Sequence, residues 1–581
     1  MHSFLKASAT ALALLSAASV SYAQEAGPRT LAPRTLSPAG SEAKTVPDVT
    51  PVAVKTISGG INVQSLDQVS TESLGVLSGR KAFPSTMWSG TDRPLVEAML
   101  QKLPTRPSAP YLRILQRRLL LSAAQPPKGR SGEKSLLSLR AAKLAEMGQT
   151  QDVISLINSA PKDERNNDLA ILETEALLLN NEISKACALA AANFAASQDS
   201  FWVKTMAFCR MLAKQKDQAM LSLSLLRESG DSDPTYYNLM DALNNGERGK
   251  VDHLADPKAL DLALINANKA VLSKEVRASD DPIMLAFLTK AGDVQAIQKA
   301  VEHNIASVDF LRETFKRIQF NKEELTDSLS AAQNFEDPLK AQALLYQVSA
   351  KPKQLDVIRT ETMSLAFELA KTNGTFFSIA RLYRPMIKDV RRSIDLLWFA
   401  PKAMRALLAA GDWEAAKSWY LMLRNAAFTD SEAAKTWTAI RPLAVFAGFD
   451  VATEAVNQTL YGWWKAQPEK PTSFAKASHI FSIADGLGLN VADRLWLELM
   501  DGPTLPARQV PKAGIWVKMD KAAMAGRVGE TVLMALQGLG HQNTAHMNST
   551  FIRDVLFALR SVGLERDARA LAVETALQAG F

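Results

Sequence analysis

LAILETEALLLNNEISKACALAAANFAASQDSFWVKTMAFCRMLA, residues 169–213, decides the fold. Polar breaks at Asn180-Asn181 and at Ser197 to Ser200 bracket an Ala-rich run, and a second apolar run opens at Phe201. The spacing predicts two antiparallel helices, one carrying Cys187 and the other Cys209, the only cysteines of the chain. Each cysteine stands about eleven residues from Gln198, so at about 1.5 Å of rise per residue the two sit at the same height. Facing helices pack with axes roughly 8 to 10 Å apart, and subtracting a Cα radius of about 2.3 Å for each permits a disulfide. A Cys187–Cys209 bond is the expectation.

Outward from this pair, the N-terminus sets the compartment. Lys6 is a minimal positive start, Ala7 to Val20 are almost wholly small or apolar, and Ser21-Tyr22-Ala23 precedes Gln24. That pattern predicts a secretory signal peptide over residues 1–23, cleaved between Ala23 and Gln24. The chain is then exported, to the periplasm of a Gram-negative envelope, where a disulfide persists. No later stretch reaches about 18 uninterrupted apolar residues, so no transmembrane segment is expected. The formal charge of +7 falls to +6 once Lys6 is removed, with both signs interspersed. Such a balance argues against a nucleic-acid partner. Residues 24–50 hold a tandem PRTL, at Pro28 to Leu31 and Pro33 to Leu36, and read as a disordered Pro-rich tether. Residues 51–91 read as a short extended or irregular N-terminal cap, with alternation around Gly59-Gly60 the one strand signal.

Residues 92–581 read as helix after helix. Asp92 is placed as an N-cap, Gly148 as a stop after Leu136 to Met147, and Asp233-Pro234 as N-cap and first helical residue. Val153, Ala186 and Ala219 recur at intervals of 33 residues, and the turn glycines Gly411, Gly448 and Gly488 at 37 and 40. These are solenoid periods, and a unit of about 37 residues gives roughly 13 helix pairs. Pro385, Pro401 and Pro442 are expected to break or kink their helices. Gly526, Gly529, Gly540 and Gly563 read as stops in a C-terminal region, Ile515 to Gln578, that forms the capping end.

At Ala410 to Ala426, AGDWEAAKSWYLMLRNA, the chain resembles the second half of a tetratricopeptide repeat. Gly411, Asp412, Trp413 and Ala415 or Ala416 match its Gly-Asp-aromatic opening and following Ala. The resemblance implies an all-α fold, an irregular α/α superhelix of TPR-like solenoid type, and a non-catalytic protein-binding scaffold. The superhelical domain of soluble lytic transglycosylases is similar in kind. Those enzymes add a lysozyme-like domain with a catalytic Glu in an E-S-x-F-like context, and the last 100 residues here lack it.

The search for chemistry returns little. SxxK occurs at Ser131 to Lys134 and at Ser473 to Lys476, with Tyr236-Tyr237-Asn238 as a Y-x-N, but the K-T-G strand is missing. His541 and His546 are five residues apart, wrong for one helical face, so no metal is expected. Glu173 and Glu175 are two apart and face different ways. No enzyme activity and no cofactor are expected. Six of ten tryptophans fall between Trp398 and Trp464. Core packing is the preferred account, with Tyr461, Trp463 and Trp464 the side chains expected at the surface, since adjacent positions cannot all face inward. The functional account makes Trp413, Trp419, Tyr461, Trp463 and Trp464 a partner-binding face for a protein or for a cell-wall glycan. Arg113, Arg117 and Arg118, and Lys388, Arg391 and Arg392, read as solvated faces, with an anionic envelope surface as the alternative. The sequence thus points to an exported scaffold for protein–protein interactions in the cell envelope, with polymer binding as the alternative.

Overall fold

The Cys187–Cys209 bond is present, with the two Cα atoms 5.7 Å apart. It joins helix Ile183–Phe194 to helix Ser200–Leu212, and the preceding helix Asn167–Leu179 ends at the Asn180-Asn181 break. The computed structural model describes residues 70–581 apart from 198, 451 and 452. The expected signal peptide with its Ala23/Gln24 cut, the tether and most of the extended cap lie outside the described residues.

The described chain is all-α: twenty-nine α-helices and one pair of two-residue parallel strands, Lys250–Val251 and Val271–Leu272. That pair falls where no alternation announces it, because two residues are too few to show a period. No helix among the described residues is long and apolar enough to cross a membrane.

The 33-residue spacing has a geometric counterpart. Helices Thr150–Ile157, Ile183–Phe194 and Lys216–Glu228 begin 33 residues apart. Each follows a left-handed residue, Gly148, Asn181 and Lys214 in turn. Val153, Ala186 and Ala219, each the fourth residue of its helix, are fully buried. A side chain at this position meets the preceding helix, so only a small or compact one fits.

Two readings are corrected, breaks at the prolines and a stop at Gly529. Helices Phe376–Asp389 and Ser431–Phe446 run through Pro385 and Pro442 without a break, and Pro401 sits in the first turn of Ala400–Ala409, where no N–H is needed. Gly529 is not a stop. It lies inside helix Val528–Leu539 and donates its N–H to the Met87 carbonyl at 2.8 Å; a Cβ there would stand 2.6 Å from the Trp88 ring.

That contact belongs to a larger correction: Ile515 to Gln578 is not a free capping end. Helix Glu565–Gln578 packs against Pro110–Leu121, Ala400–Ala409 and Ser431–Phe446, and Val528–Leu539 packs against Arg93–Gln101 and Pro110–Leu121. Tyr111 donates its hydroxyl to Asp567 at 2.6 Å and its backbone N–H to Glu574 at 2.8 Å. Gln537 reaches the Met99 carbonyl at 2.9 Å. The first two and last helices of the described residues thus cover one another. The main apolar core accordingly includes both Phe83 and Phe581, while a second core holds Leu177 to Ala300.

Candidate functional site

Helix Pro110–Leu121 sits at the junction of first and last helices, and its sequence PYLRILQRRLLL explains why. Leu112, Leu115, Leu119 and Leu120 are buried together. Arg113, Arg117 and Arg118 do not form a solvated face. Arg113 is 4% exposed and donates to the carbonyls of Ser108 and Glu302. Arg117 grips the Asp152 carboxylate through both nitrogens, with the second bond 2.7 Å long, and Arg118 pairs with Asp567 at 2.8 Å. The guanidiniums of this helix find partners from five segments, at Ala82, Ser108, Asp152, Glu302 and Asp567. Lys388, Arg391 and Arg392 are exposed as expected, with Lys388 3.3 Å from Asp412.

Beside this helix lies a cavity of about 540 Å³. Its walls are turns and helix ends: Gly148 to Asp152, Asn180, Thr289 and Lys290, and Asn304 to Val308. Gln149 donates to the Asn304 carbonyl at 3.0 Å and Thr150 to Asn180 at 2.8 Å, so the turns hold one another. Arg381 completes the wall, donating to Asn304 and, at 2.7 Å, to the Val301 carbonyl. A second cavity, about 270 Å³, shares Ile114 and Arg381 with the first and is lined also by Trp413 and Glu574.

Charge in the larger cavity is one-sided. Arg113, Arg117, Lys290 and Arg381 line it against the carboxylate of Asp152, which Arg117 already holds, and Glu302 stands behind the wall with its carboxylate 4.0 Å from Arg113. Burial pushes Arg113 down to about 10, still cationic at neutral pH. Burial pushes Glu574 up to about 8 despite Arg113, so this neighbour is uncharged at pH 7. His303 falls to about 4 through burial and then through Arg113, and is neutral as well.

The aromatic residues singled out in the sequence scatter. Trp419 and Trp463 are each 1% exposed, and Trp464 is buried too, which corrects the expected exposure of Trp463 and Trp464. Helix Thr453–Lys465 packs on Ser431–Phe446, while Phe481 and Phe581 meet Trp463, and Phe474 and the Glu498 carboxylate meet Trp464. Neighbours on several sides let adjacent positions both be interior. Tyr461 is half-buried, and the Arg494 guanidinium covers its ring at 4.4 Å. Trp413 is half-buried at the smaller cavity. Among the six clustered tryptophans, Trp398 is the exposed one, at 43%.

The SxxK serines are engaged elsewhere: Ser131 accepts from Arg93 at 2.8 Å, and Ser473 is buried while Lys476 donates to the Gly580 carbonyl. His541 meets the Arg106 carbonyl at 3.0 Å. Glu173 pairs with Arg165, and Glu175, pushed up to about 7 by burial, lines a separate cavity of about 170 Å³ with Asp233 and Asp261. Asp233 caps helix Pro234–Asn245 and accepts from Lys204 and Lys258, a structural employment. No three His, Cys, Asp or Glu side chains converge as a metal cluster among the described residues.

Sequence reasoning missed Thr289, Arg381 and Glu574. One signal was available for Arg381, which lies four residues after the buried Phe377 and so on an inward face. No family model, curated protein or solved structure matches this chain.

Proposed function

We propose that this chain is an exported, non-catalytic scaffold of the cell envelope, an α/α superhelix of TPR-like repeats closed by its last helices, that docks a protein partner. One observation carries the reading. Ile394 is 79% and Leu355 67% exposed, with Val357 and Trp398 beside them in sequence also exposed. The two segments are tied by the Arg391 N–H to the Asp356 carboxylate at 3.1 Å. Large apolar side chains gathered at one joint, next to the solvated Lys388, Arg391 and Arg392, have the composition of an interface centre with a polar rim. The 33-residue recurrence of turn conformation supports the repeat reading, and the retained cysteine bond supports an oxidising compartment.

The glycan alternative needs bare aromatic faces. Burial of Trp419, Trp463 and Trp464 and the guanidinium over Tyr461 remove most of those it relied on.

The test places a photo-crosslinker at Ile394 and, separately, at Val357 in the native envelope. Both positions should capture the same protein, and Leu355→Asp with Ile394→Asp should abolish its co-purification without changing the melting temperature. Capture of wall polymer alone would favour the alternative. Absence of any common adduct would overturn the reading.

A further inference from the structure

The cavity beside helix Pro110–Leu121 carries an inference beyond protein docking. Four of its lining residues hold a buried side-chain atom with no hydrogen-bond partner: Arg113 Nε, Asn180 Nδ2, Thr289 Oγ1 and Arg381 Nε. Arg113 is 4% and Thr289 5% exposed. A buried polar group left unpaired costs about 1 to 3 kcal/mol, more where charge is involved, so four at one cavity mark a place where an acceptor would stabilise the fold. All four are donors, the hydroxyl able to act as one. What would satisfy them is an acceptor, and the surplus of positive charge on the same walls specifies a negative one.

Two helix starts add to this. Gln149 precedes Thr150–Ile157 and Ser307 precedes Val308–Arg317, and neither supplies a side-chain cap. Gln149 to Asp152 and Ser307 to Val308 are wall residues of the cavity, so two sets of first-turn N–H groups and two positive dipole ends border it. The wall also carries apolar side chains, among them Ile114, 49% exposed, Phe310, 42% exposed, and Val308. A volume of about 540 Å³ lies within the range of small-molecule sites and is too small for a folded partner.

We propose that this cavity binds a small organic anion, its carboxylate or phosphate held by Arg113, Lys290, Arg381 and Thr289, its apolar part against Ile114 and Phe310. The site is separate from the Ile394 face, so each can fail alone. No bond is made or broken in it; the role is recognition.

Isothermal titration of the purified full chain tests it, with phenyl phosphate and 3-phenylpropionate as the phosphate and carboxylate probes and 3-phenylpropanol as the neutral control. Saturable one-site binding of either anion, at micromolar to millimolar Kd, and none of the alcohol is expected. Lys290→Glu reverses a charge on an exposed side chain that stands 5.5 Å from the Phe310 ring. Ile114→Trp fills the mouth from an exposed position. Each should weaken binding by about tenfold or more at an unchanged melting temperature. Lack of saturable binding by both anions, equal binding of the alcohol, or affinities unmoved by both variants would overturn the proposal. Isolated protein is used throughout, so loss of the envelope partner has no bearing on the result.

Discussion

Reducing the Cys187–Cys209 bond should release helix Ile183–Phe194 while the rest of the chain stays folded. The bond closes a sequence separation of 22 residues. In the chain-entropy picture a loop of about that length is worth roughly 3 kcal/mol. The helix it fastens is thinly anchored: its fully buried residues are Ala186 and Ala190, with Ile183, Leu189 and Phe194 partly buried against the cores. Two methyl groups at about 0.8 kcal/mol each and three half-covered side chains supply roughly 3 to 5 kcal/mol. The covalent tie is therefore comparable with the apolar anchor. Hydrogen exchange read by mass spectrometry, with and without a mild reductant, should show amide protection in residues 183–194 falling by about two orders of magnitude. Protection in Glu565–Gln578 should not move. Equal loss everywhere, or retention within about threefold in 183–194, would refute the comparison of magnitudes. The Cys187→Ser/Cys209→Ser double variant, examined in the same way, should match the reduced protein.

A double-mutant cycle of Tyr111→Phe and Asp567→Asn, residues 456 apart, should return a coupling of about 1 to 2 kcal/mol in urea unfolding, and simple additivity would deny the closure contact. Glu574 ionises near 8 in the fold against 4.5 as its ordinary value. The native chain therefore holds a proton that the unfolded chain has lost between those pH values, and stability falls as pH rises from about 4.5 to 8. Glu574→Gln should flatten that decline in urea melts and stabilise the protein at pH 8. Burial takes His479 down to about 3. Its sign is opposite: stability is lost as pH falls below about 6.5, so His479→Gln should soften acid unfolding between pH 6.5 and 4. Trp464→Ala should cost about 3 to 5 kcal/mol, because the ring is buried against Phe474 with its N–H on Glu498.

What the sequence allowed and what it hid divide along the range of the interactions. Helix positions, the turn before Thr150, Ile183 and Lys216, and the facing of Cys187 and Cys209 depend on residues within about one helix pair, and spacing exposes them. The closure does not. Tyr111, Asp567 and Glu574 look like ordinary members of helical surfaces, since a partner several hundred residues away leaves no period. Arg113, Arg117 and Arg118 misled for the same reason: on one helix they read as a solvated stripe, and only the assembled neighbours turn them inward. Trp463 and Trp464 misled because adjacency excludes joint burial only when a helix has one packed side. The cavity was invisible for a further reason, its walls being drawn from six separate segments whose lone members carry no motif.

A chain whose opening helices are completed by its closing ones pays for that arrangement in time. Emerging in order from a ribosome, Arg93–Gln101 and Pro110–Leu121 must wait, with apolar flanks uncovered, until Val528–Leu539 and Glu565–Gln578 arrive. A copy cut short after Gly540 should thus keep much of its helix yet present the Tyr111 flank to chaperones and proteases.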